Sequence, residues 1–213
     1  MPAAAAEVVA SYLTKIDGPF PTQGDWNGTE PVAFCHDWQG RNPDPQRETE
    51  VRLLWSAHRL FIRFQCRFHS LDVFPDADPN GRRDVLWDRD VAEVFLQPDR
   101  FGEKYYKEFE VSPNGMWLDL DISPQGLTHI NSGMRSRVAV DETARIWTAE
   151  LAIPTKALTS NFDPSQPWRV NFFRCEGLDP QRFYSAWQPT ETAEPNFHVP
   201  QKFGWLHFTA QSM

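Results

Sequence analysis

The chain has 213 residues, 40% of them hydrophobic and 14% aromatic, which is enough to bury a core and predicts a single domain over residues 1–213. Its formal net charge of −8 argues against nucleic acid and against an anionic membrane surface as partners, because both require clustered Lys and Arg. A neutral or cationic ligand remains compatible with this charge.

The first residues, MPAAAAEVVASYL, lack the basic start and the long apolar stretch of a signal peptide. No segment approaches the roughly 18 apolar residues of a membrane-spanning helix. We therefore expect a soluble protein, secreted or periplasmic if a leader has been removed and cytoplasmic otherwise, so the compartment stays open. Within this stretch, AEVVASYL is compatible with a strand or with a short helix.

The clearest period of two lies in residues 59–68, RLFIRFQCRF, where apolar side chains alternate with mostly polar ones. This pattern is typical of a strand with one buried face. The segment VRLLWS (51–56) predicts the preceding strand, and Ala57-His58 is a plausible tight turn between the two.

Residues 91–97, VAEVFLQ, predict a buried strand that carries one carboxylate, Glu93, on a largely apolar face. An ionised side chain is rarely buried without a partner, so Glu93 faces solvent, pairs with a cation or lines a site. Arg174 raises the same question in the predicted strand WRVNFFRCE (168–176). We expect Glu93 and Arg174 to pair, either as a salt bridge in the core or as hydrogen-bonding groups at the base of a cleft.

The segments KEFEVS (107–112) and MWLDLDIS (116–123) flank a Pro-Asn-Gly turn and predict a hairpin. The apolar residues expected to face inward are Phe109, Val111, Leu118, Leu120 and Ile122. The residues expected to face outward are Glu108, Glu110, Trp117, Asp119 and Asp121. We interpret the outward carboxylates as a solvated surface.

Further strands are predicted at 32–36, 134–141, 146–153, 183–187 and 203–209, and the only helical turn of this part of the chain at 153–158. Many short strands without alternation between strands and helices predict an all-β fold. We expect a β-sandwich of two antiparallel sheets, of the jelly-roll or immunoglobulin-like kind, with one or two short helical turns.

Two connections, 69–90 and 188–202, are longer than ordinary hairpin loops, and long loops are often functional. The first contains Asp72, Asp76 and Asp78, which are weak candidates for Ca²⁺ ligands because hard cations prefer several oxygen atoms.

Aromatic rings beside carboxylates and a guanidinium group are typical of sugar recognition, because a pyranose packs its C–H face on an indole ring and hydrogen-bonds through its hydroxyl groups. Trp87 and Trp187 are the best platforms, since each lies where a predicted strand meets a long loop. Hydrolysis would need a paired acid and base. Because the outward carboxylates are interpreted as surface, we predict no enzymatic activity, with a weak glycoside hydrolase as an alternative.

Five stretches together resemble carbohydrate-binding module family 9 and its family 9-like relatives: LWDRDVAEVFLQP, YKEFEVSPNGMWLDLDI, RIWTAELAIP, WRVNFFRCEG and SAWQPT…PNFHVPQKFGWLHF. They occur in the order of the family and cover about residues 17–208. The resemblance implies a β-sandwich that binds a mono-, oligo- or polysaccharide without catalysis, in the context of polysaccharide catabolism.

The resemblance further implies that two tryptophans, Trp187 and Trp87, clamp a terminal sugar of a β-glucan such as cellulose or of a xylan. It implies polar ligand-binding positions at Glu93, Asn171 and Arg174, a site position at His198, and a structural Ca²⁺. Two alternatives stay open: a structural or interaction domain with a decayed sugar site, and a haem-binding relative. The candidate haem ligands would be Met116, Met134, His129 and His198.

Overall fold

The computed structural model describes residues 6–75, 81–98 and 105–209. Within these ranges the chain forms strands β1 Glu7–Tyr12, β2 Val32–Phe34, β3 Thr49–Ser56, β4 Arg59–Arg67, β5 Val91–Gln97, β6 Tyr106–Val111, β7 Trp117–Ser123, β8 Gly126–His129, β9 Arg135–Asp141, β10 Ile146–Pro154, β11 Trp168–Glu176, β12 Phe183–Ala186 and β13 Gly204–Phe208. The helices are α1 Gln23–Asn27 and α2 Thr155–Leu158. No helix in the described ranges has the length and apolar character that a bilayer-spanning helix needs.

The strands form two sheets. The first sheet has the order β8-β7-β6-β5-β11-β13-β1, with β12 paired to the end of β11. The second sheet has the order β1-β3-β4-β10-β9, with β2 paired to the start of β3. The all-β sandwich predicted from the sequence is therefore confirmed.

Strand β1 belongs to both sheets. Its residues 7–10 pair with β13, and Ser11 and Tyr12 then pair with β3. Both pairings are parallel, whereas the other strand pairs among the described residues are antiparallel. The segment AEVVASYL, which the sequence left open between strand and helix, is thus a strand that joins the two layers.

The main hydrophobic core lies between the sheets. Alternating residues of β3, β4 and β10 meet alternating residues of β5, β6 and β11, including Leu53, Ile62, Phe64, Val94, Phe109, Trp147 and Phe172. The strict period of two in these strands places one apolar row on the inner face of each sheet.

A second apolar layer covers the outer face of the first sheet. Side chains from β5, β6, β7 and β11 pack there against Leu86, Phe197 and Phe203 from the connecting segments. As a result all seven residues of β5 are buried, on both faces of the strand. Glu93 therefore does not face solvent.

The face assignment predicted for the hairpin of β6 and β7 is wrong. In the observed register Phe109 lies opposite Asp119, and Glu108 lies opposite Leu120. Leu118 and Leu120 consequently share a face with the glutamates rather than with Phe109. Because the second apolar layer covers this face, Glu108 and Glu110 are buried rather than solvated.

Asp119, also predicted to be on the surface, is buried and forms an ion pair with Arg82. Its Oδ2 accepts hydrogen bonds from the backbone N–H and the hydroxyl of Ser132, at 3.0 and 2.6 Å. Asp121 remains partly exposed and pairs with Lys107.

Two short elements, α1 and β8, were not predicted from the sequence, whereas the predicted helical turn is present. Helix α1 begins with a capping box in which Thr22 and Asp25 bond reciprocally, a signal that the pattern T-x-x-D carries. Strand β8 is exposed along its whole length, so it shows no hydrophobic alternation. The helical turn predicted at 153–158 corresponds to α2.

Candidate functional site

A cavity of about 690 Å³ opens on the outer face of the first sheet. Its floor comes from the sheet, and the floor residues are Glu93, Phe95, Glu108, Leu120 and Cys175. The walls come from two connecting segments, residues 87–89 and 195–198, and from residues 178–184, which run into β12. The volume lies within the range of roughly 300–1,000 Å³ that is usual for small-molecule sites.

The turn Leu86–Asp88 holds Trp87 in the wall of the cavity. Val85, which precedes this turn, has a left-handed backbone conformation with φ of 52°. The buried side chain of Leu86 anchors the turn to the sheet. The guanidinium group of Arg182 donates hydrogen bonds to the carbonyl oxygens of Trp87 and Asp88, the latter at 2.9 Å. These contacts hold the backbone of the turn that carries the partly buried Trp87.

Stacked rings form another wall. Phe197 stacks on Phe173 with ring centroids 4.3 Å apart, and His198 stacks on Phe95 at 5.3 Å. The hydroxyl of Tyr106 lies 2.6 Å from Nδ1 of His198. Burial lowers the pKa of His198, so a neutral ring with an unprotonated Nδ1 can accept this hydrogen bond from the hydroxyl.

Three buried glutamates occupy the floor and the sheet next to it. One carboxylate oxygen each of Glu93, Glu108 and Glu110 lies within 4.8 Å of the other two. Burial raises the pKa of Glu108 to about 7. Burial, with repulsion between the neighbouring carboxylates, also raises the pKa of Glu93 and Glu110 well above the ordinary value. The thiol of Cys175 donates to Glu93, with Sγ 3.6 Å from Oε1.

Arg174 does not pair with Glu93, so that prediction is wrong. In the register of β5 and β11, Arg174 lies opposite Ala92, whereas Glu93 lies opposite Phe173. Glu93 and Arg174 therefore point to opposite faces of the sheet. Arg174 instead forms a fully buried salt bridge with Glu176, at 2.7 Å between Nη2 and Oε2.

Asn171 and Trp187 also lie away from the residues that line this cavity. The side-chain amide of Asn171 donates to the carbonyl of Gln188 and accepts from its N–H, both at 2.9 Å, so it holds the start of the connection after β12. The ring of Trp187 packs against Phe172 at 5.5 Å and covers Gly204. Trp87 and Trp187 therefore do not face each other across the cavity.

The cavity thus brings together three of the predicted ligand-binding residues, Trp87, Glu93 and His198. Sequence reasoning missed Glu108 as a lining residue, together with residues Arg182, Tyr184, Asn196 and Phe197. No local pattern indicates Glu108, because its face depends on the register of the hairpin, whereas Asn196 and Phe197 directly precede His198.

The calcium ligands predicted in the connection 69–90 remain a prediction. The carboxylate of Asp72 lies 3.3 Å from Nε of Arg89, so one of its oxygens faces a cation of the protein itself. Asp76 and Asp78 lie outside the described residues.

The family model of carbohydrate family 9 binding domain-like proteins matches residues 16–210. The chain therefore belongs to this family. A curated relative, an extracellular protein from Arthroderma benhamiae, is 26% identical over 201 residues, which cover 86% of each chain.

Solved structures share the fold. A proposed carbohydrate-binding protein from Bacteroides uniformis has a TM-score of 0.77 at 16% identity, covering 97% of this chain and 100% of that one. A family 9 carbohydrate-binding module from Caldicellulosiruptor kristjanssonii in complex with cellotriose has a TM-score of 0.68 at 14% identity, covering 97% and 95%. A family 9 module from the same organism in complex with glucose scores 0.67 at 14% identity, with 97% of both chains covered.

Proposed function

We propose that this domain binds a saccharide in the cavity lined by Trp87, Glu93 and His198, and that it does so without cleaving the sugar. The observation that carries the proposal is the cavity itself, which combines aromatic walls with a carboxyl floor in a member of a carbohydrate-binding family. Such a combination suits a ligand that has both an apolar C–H face and several hydroxyl groups.

Each part of the ligand has a matching part of the site. Trp87 and Tyr184 offer flat rings for the C–H face of a pyranose. Glu93 and Glu108 are hydrogen-bonding partners for hydroxyl groups, and a hydroxyl can donate to a carboxylate or accept from a carboxyl group.

The ligand class that we propose is the terminal sugar of a β-glucan or of a xylan-type saccharide. The cellotriose and glucose complexes of the Caldicellulosiruptor kristjanssonii modules support a glucan. The name of the Arthroderma benhamiae relative supports an extracellular setting, where such polysaccharides are degraded. The only support for a xylan-type ligand is the resemblance of the sequence to carbohydrate-binding module family 9.

A thermal-unfolding series with glucose, xylose, cellobiose and xylobiose tests the proposal. A ligand at about 100 times its Kd adds about 2.7 kcal/mol to the free energy of unfolding. For a domain of this size that shifts Tm by about 5–10 °C. We expect such a shift with at least one disaccharide, and we expect Trp87→Ala to abolish it.

Trp205→Ala is the matched control, because Trp205 is also partly exposed but contacts Arg169 on β11 rather than the cavity. Trp187→Phe tests the predicted clamp while it keeps an aromatic ring in the packing over Gly204. If Trp187→Phe loses the shift and Trp87→Ala keeps it, the sugar binds elsewhere. If no sugar shifts Tm, the interaction domain with a decayed site is favoured.

The same samples test for hydrolysis. The close spacing of Glu93 and Glu108 approaches the roughly 5–5.5 Å separation of retaining glycosidases. We expect no release of reducing ends from xylan or cello-oligosaccharides, because both carboxyl groups are buried beside a third, and the resulting rise in the pKa of each disfavours an ionised nucleophile. Release that disappears in Glu108→Gln would favour the hydrolase instead.

A further inference from the structure

We propose that Glu93, Glu108 and Glu110 form a binding site for one hard divalent cation, with Ca²⁺ as the best-suited ion. This site is separate from the candidates in the connection 69–90. It does not depend on which ligand enters the cavity.

The spacing of the carboxylates fits one shared ion. Calcium lies about 2.3–2.6 Å from its oxygen ligands, so two oxygens on one ion are at most about 4.6–5.2 Å apart. The three glutamates offer oxygens within 4.8 Å of one another, which meets this condition. They project from β5 and β6, where Glu93 lies directly opposite Glu110, so the paired strands hold the ligands in place.

A second observation is that these oxygens lack a partner outside the cluster. Both carboxylate oxygens of Glu110 and Oε2 of Glu108 are buried and accept no hydrogen bond from another residue. The one hydrogen bond open to them is between Glu108 and Glu110 themselves, and it requires a proton on one of the two. Glu110 is completely inaccessible to solvent. A buried carboxylate without a partner is costly, and like charges directly across two strands add to that cost.

None of the three glutamates forms an ion pair with a cationic side chain among the residues that the structure describes. No Lys, Arg or His there forms an ion pair with any of the three glutamates. The charge of Arg182, which lines the same cavity, acts against the rise in the pKa of Glu93, but its hydrogen bonds go to the backbone carbonyls of Trp87, Asp88, Arg89 and Gly177. A bound cation would satisfy the orphaned oxygens and relieve the repulsion between the carboxylates.

The type of ligand atom determines which class of ion the cluster prefers, and the cavity lets an ion reach the cluster from solvent. The cluster offers three carboxylate oxygens, and the only sulfur in contact with it among the described residues is that of Cys175. A ligand set dominated by oxygen favours a hard cation over zinc or copper. Glu93 and Glu108 line the cavity, so water or a hydroxyl-bearing molecule can fill the positions that the glutamates leave open. Calcium accepts six to eight oxygens and tolerates irregular geometry, whereas magnesium demands an octahedron.

Calorimetric titration of the full chain with CaCl₂ tests the proposal, after treatment with EDTA and dialysis into chelator-free buffer without any saccharide. The titration extends to about 10 mM, because extracellular calcium modules bind with Kd of about 0.1–1 mM. We expect one Ca²⁺ per chain, weaker binding of Mg²⁺, and a rise of Tm with calcium. Glu110→Gln, which keeps the size of the side chain, should weaken binding at least tenfold.

Two control variants carry comparable changes of charge. Asp121→Asn alters an ion-paired surface carboxylate on the same hairpin, and Asp72→Asn alters the described candidate in the long connection. Both should bind calcium as the wild type does. Near-UV circular dichroism checks that Glu110→Gln is folded, and Glu108→Gln replaces it if it is not.

Three outcomes would overturn the proposal: no calcium binding by the wild type, unchanged binding by both glutamine variants, or loss of binding in Asp72→Asn alone. The first would mean that protons, rather than a metal, neutralise the cluster. Since no saccharide is present, a failure here leaves the sugar proposal standing, and a failure of the sugar series leaves this one standing.

Discussion

Asp90 is a buried carboxylate that ties two connecting segments together next to the cavity. It accepts hydrogen bonds from the backbone N–H of Gly177 at 2.6 Å and of Asp72 at 3.1 Å. Burial raises its pKa to about 6, although these hydrogen bonds and Arg174 act in the opposite direction. The folded protein therefore holds a proton on Asp90 more tightly than the unfolded chain does.

This difference predicts a pH dependence of stability. Between about pH 4 and pH 6 the folded state binds more protons at Asp90 than the unfolded state, so the free energy of unfolding falls as pH rises through that window. The loss should be about 2–3 kcal/mol, since one pKa unit corresponds to about 1.4 kcal/mol. Urea unfolding at a series of pH values should show this loss in the wild type and a flatter profile in Asp90→Asn.

Asp84→Asn is the control for that experiment, because Asp84 is an exposed carboxylate. Its profile should follow that of the wild type. Parallel profiles for the wild type and Asp90→Asn would show that Asp90 has the same proton affinity in the folded and unfolded states.

At the same scale, sequence reasoning found the unusual residues but not their partners. Glu93, Arg174 and Trp87 are conspicuous because a charge or a large ring interrupts a local pattern. Whether Glu93 and Arg174 share a face depends on the register between β5 and β11, which no local pattern encodes. The actual partner of Arg174 is Glu176, two residues along its own strand.

At the scale of elements, β13 begins at a position where the chain passes under an indole. A Cβ atom at Gly204 would lie 2.5 Å from Cζ3 of Trp187 and 2.6 Å from the carbonyl oxygen of Ala6. The second contact is with the backbone, so rotation of a side chain cannot relieve it. Ala6, which directly precedes β1, and Trp187 therefore leave no room for a side chain at this glycine.

We therefore expect Gly204→Ala to lower the free energy of unfolding by about 1–3 kcal/mol, the usual cost of overpacking. Gly24→Ala in α1 is the matched control, because the nearest atom to its Cβ would be Oγ1 of Thr22 at 3.7 Å. That variant should be neutral or slightly stabilising, since alanine favours helix over glycine. Chemical denaturation of both variants measures the difference, and equal stabilities would contradict the predicted clash.

Strands were predictable wherever one face is apolar and the other largely polar, as in β4, because a period of two is then visible in the sequence. The hairpin of β6 and β7 was predictable as a hairpin, but its faces were not. Both faces of β6 are buried, so its glutamates mimic a solvated row while they lie under the second apolar layer. The site residues on the connecting segments, such as Phe197, depend on how those segments fold back onto the sheet.

At the scale of the whole molecule, protection from solvent is uneven across the sheets. Strand β5 lies between β6 and β11 and is buried throughout. Strands β8 and β9 lie at the outer ends of the strand order, and most of their side chains are exposed. Exposed edges open locally more easily than buried centres.

Hydrogen–deuterium exchange followed by mass spectrometry should therefore give the slowest exchange in peptides from β5 and β11, and much faster exchange in β8 and β9. Peptides from β4, the buried inner strand of the second sheet, are the internal comparison and should match β5. Equal protection of β8 and β5 would contradict the difference in burial between these two strands.

Because β1 belongs to both sheets, it also constrains the order in which the domain can fold during translation. The backbone N–H of Tyr12 donates to Oγ1 of Thr209 at 2.7 Å, across a sequence separation of 197 residues. During synthesis on the ribosome, β1 emerges early, but β13 does not exist until almost all of the matched region has been translated. The first sheet cannot acquire its full set of strands before then, so the domain completes its fold only after translation has passed β13. Until that point a chaperone can bind the edge of β1 that β13 later covers.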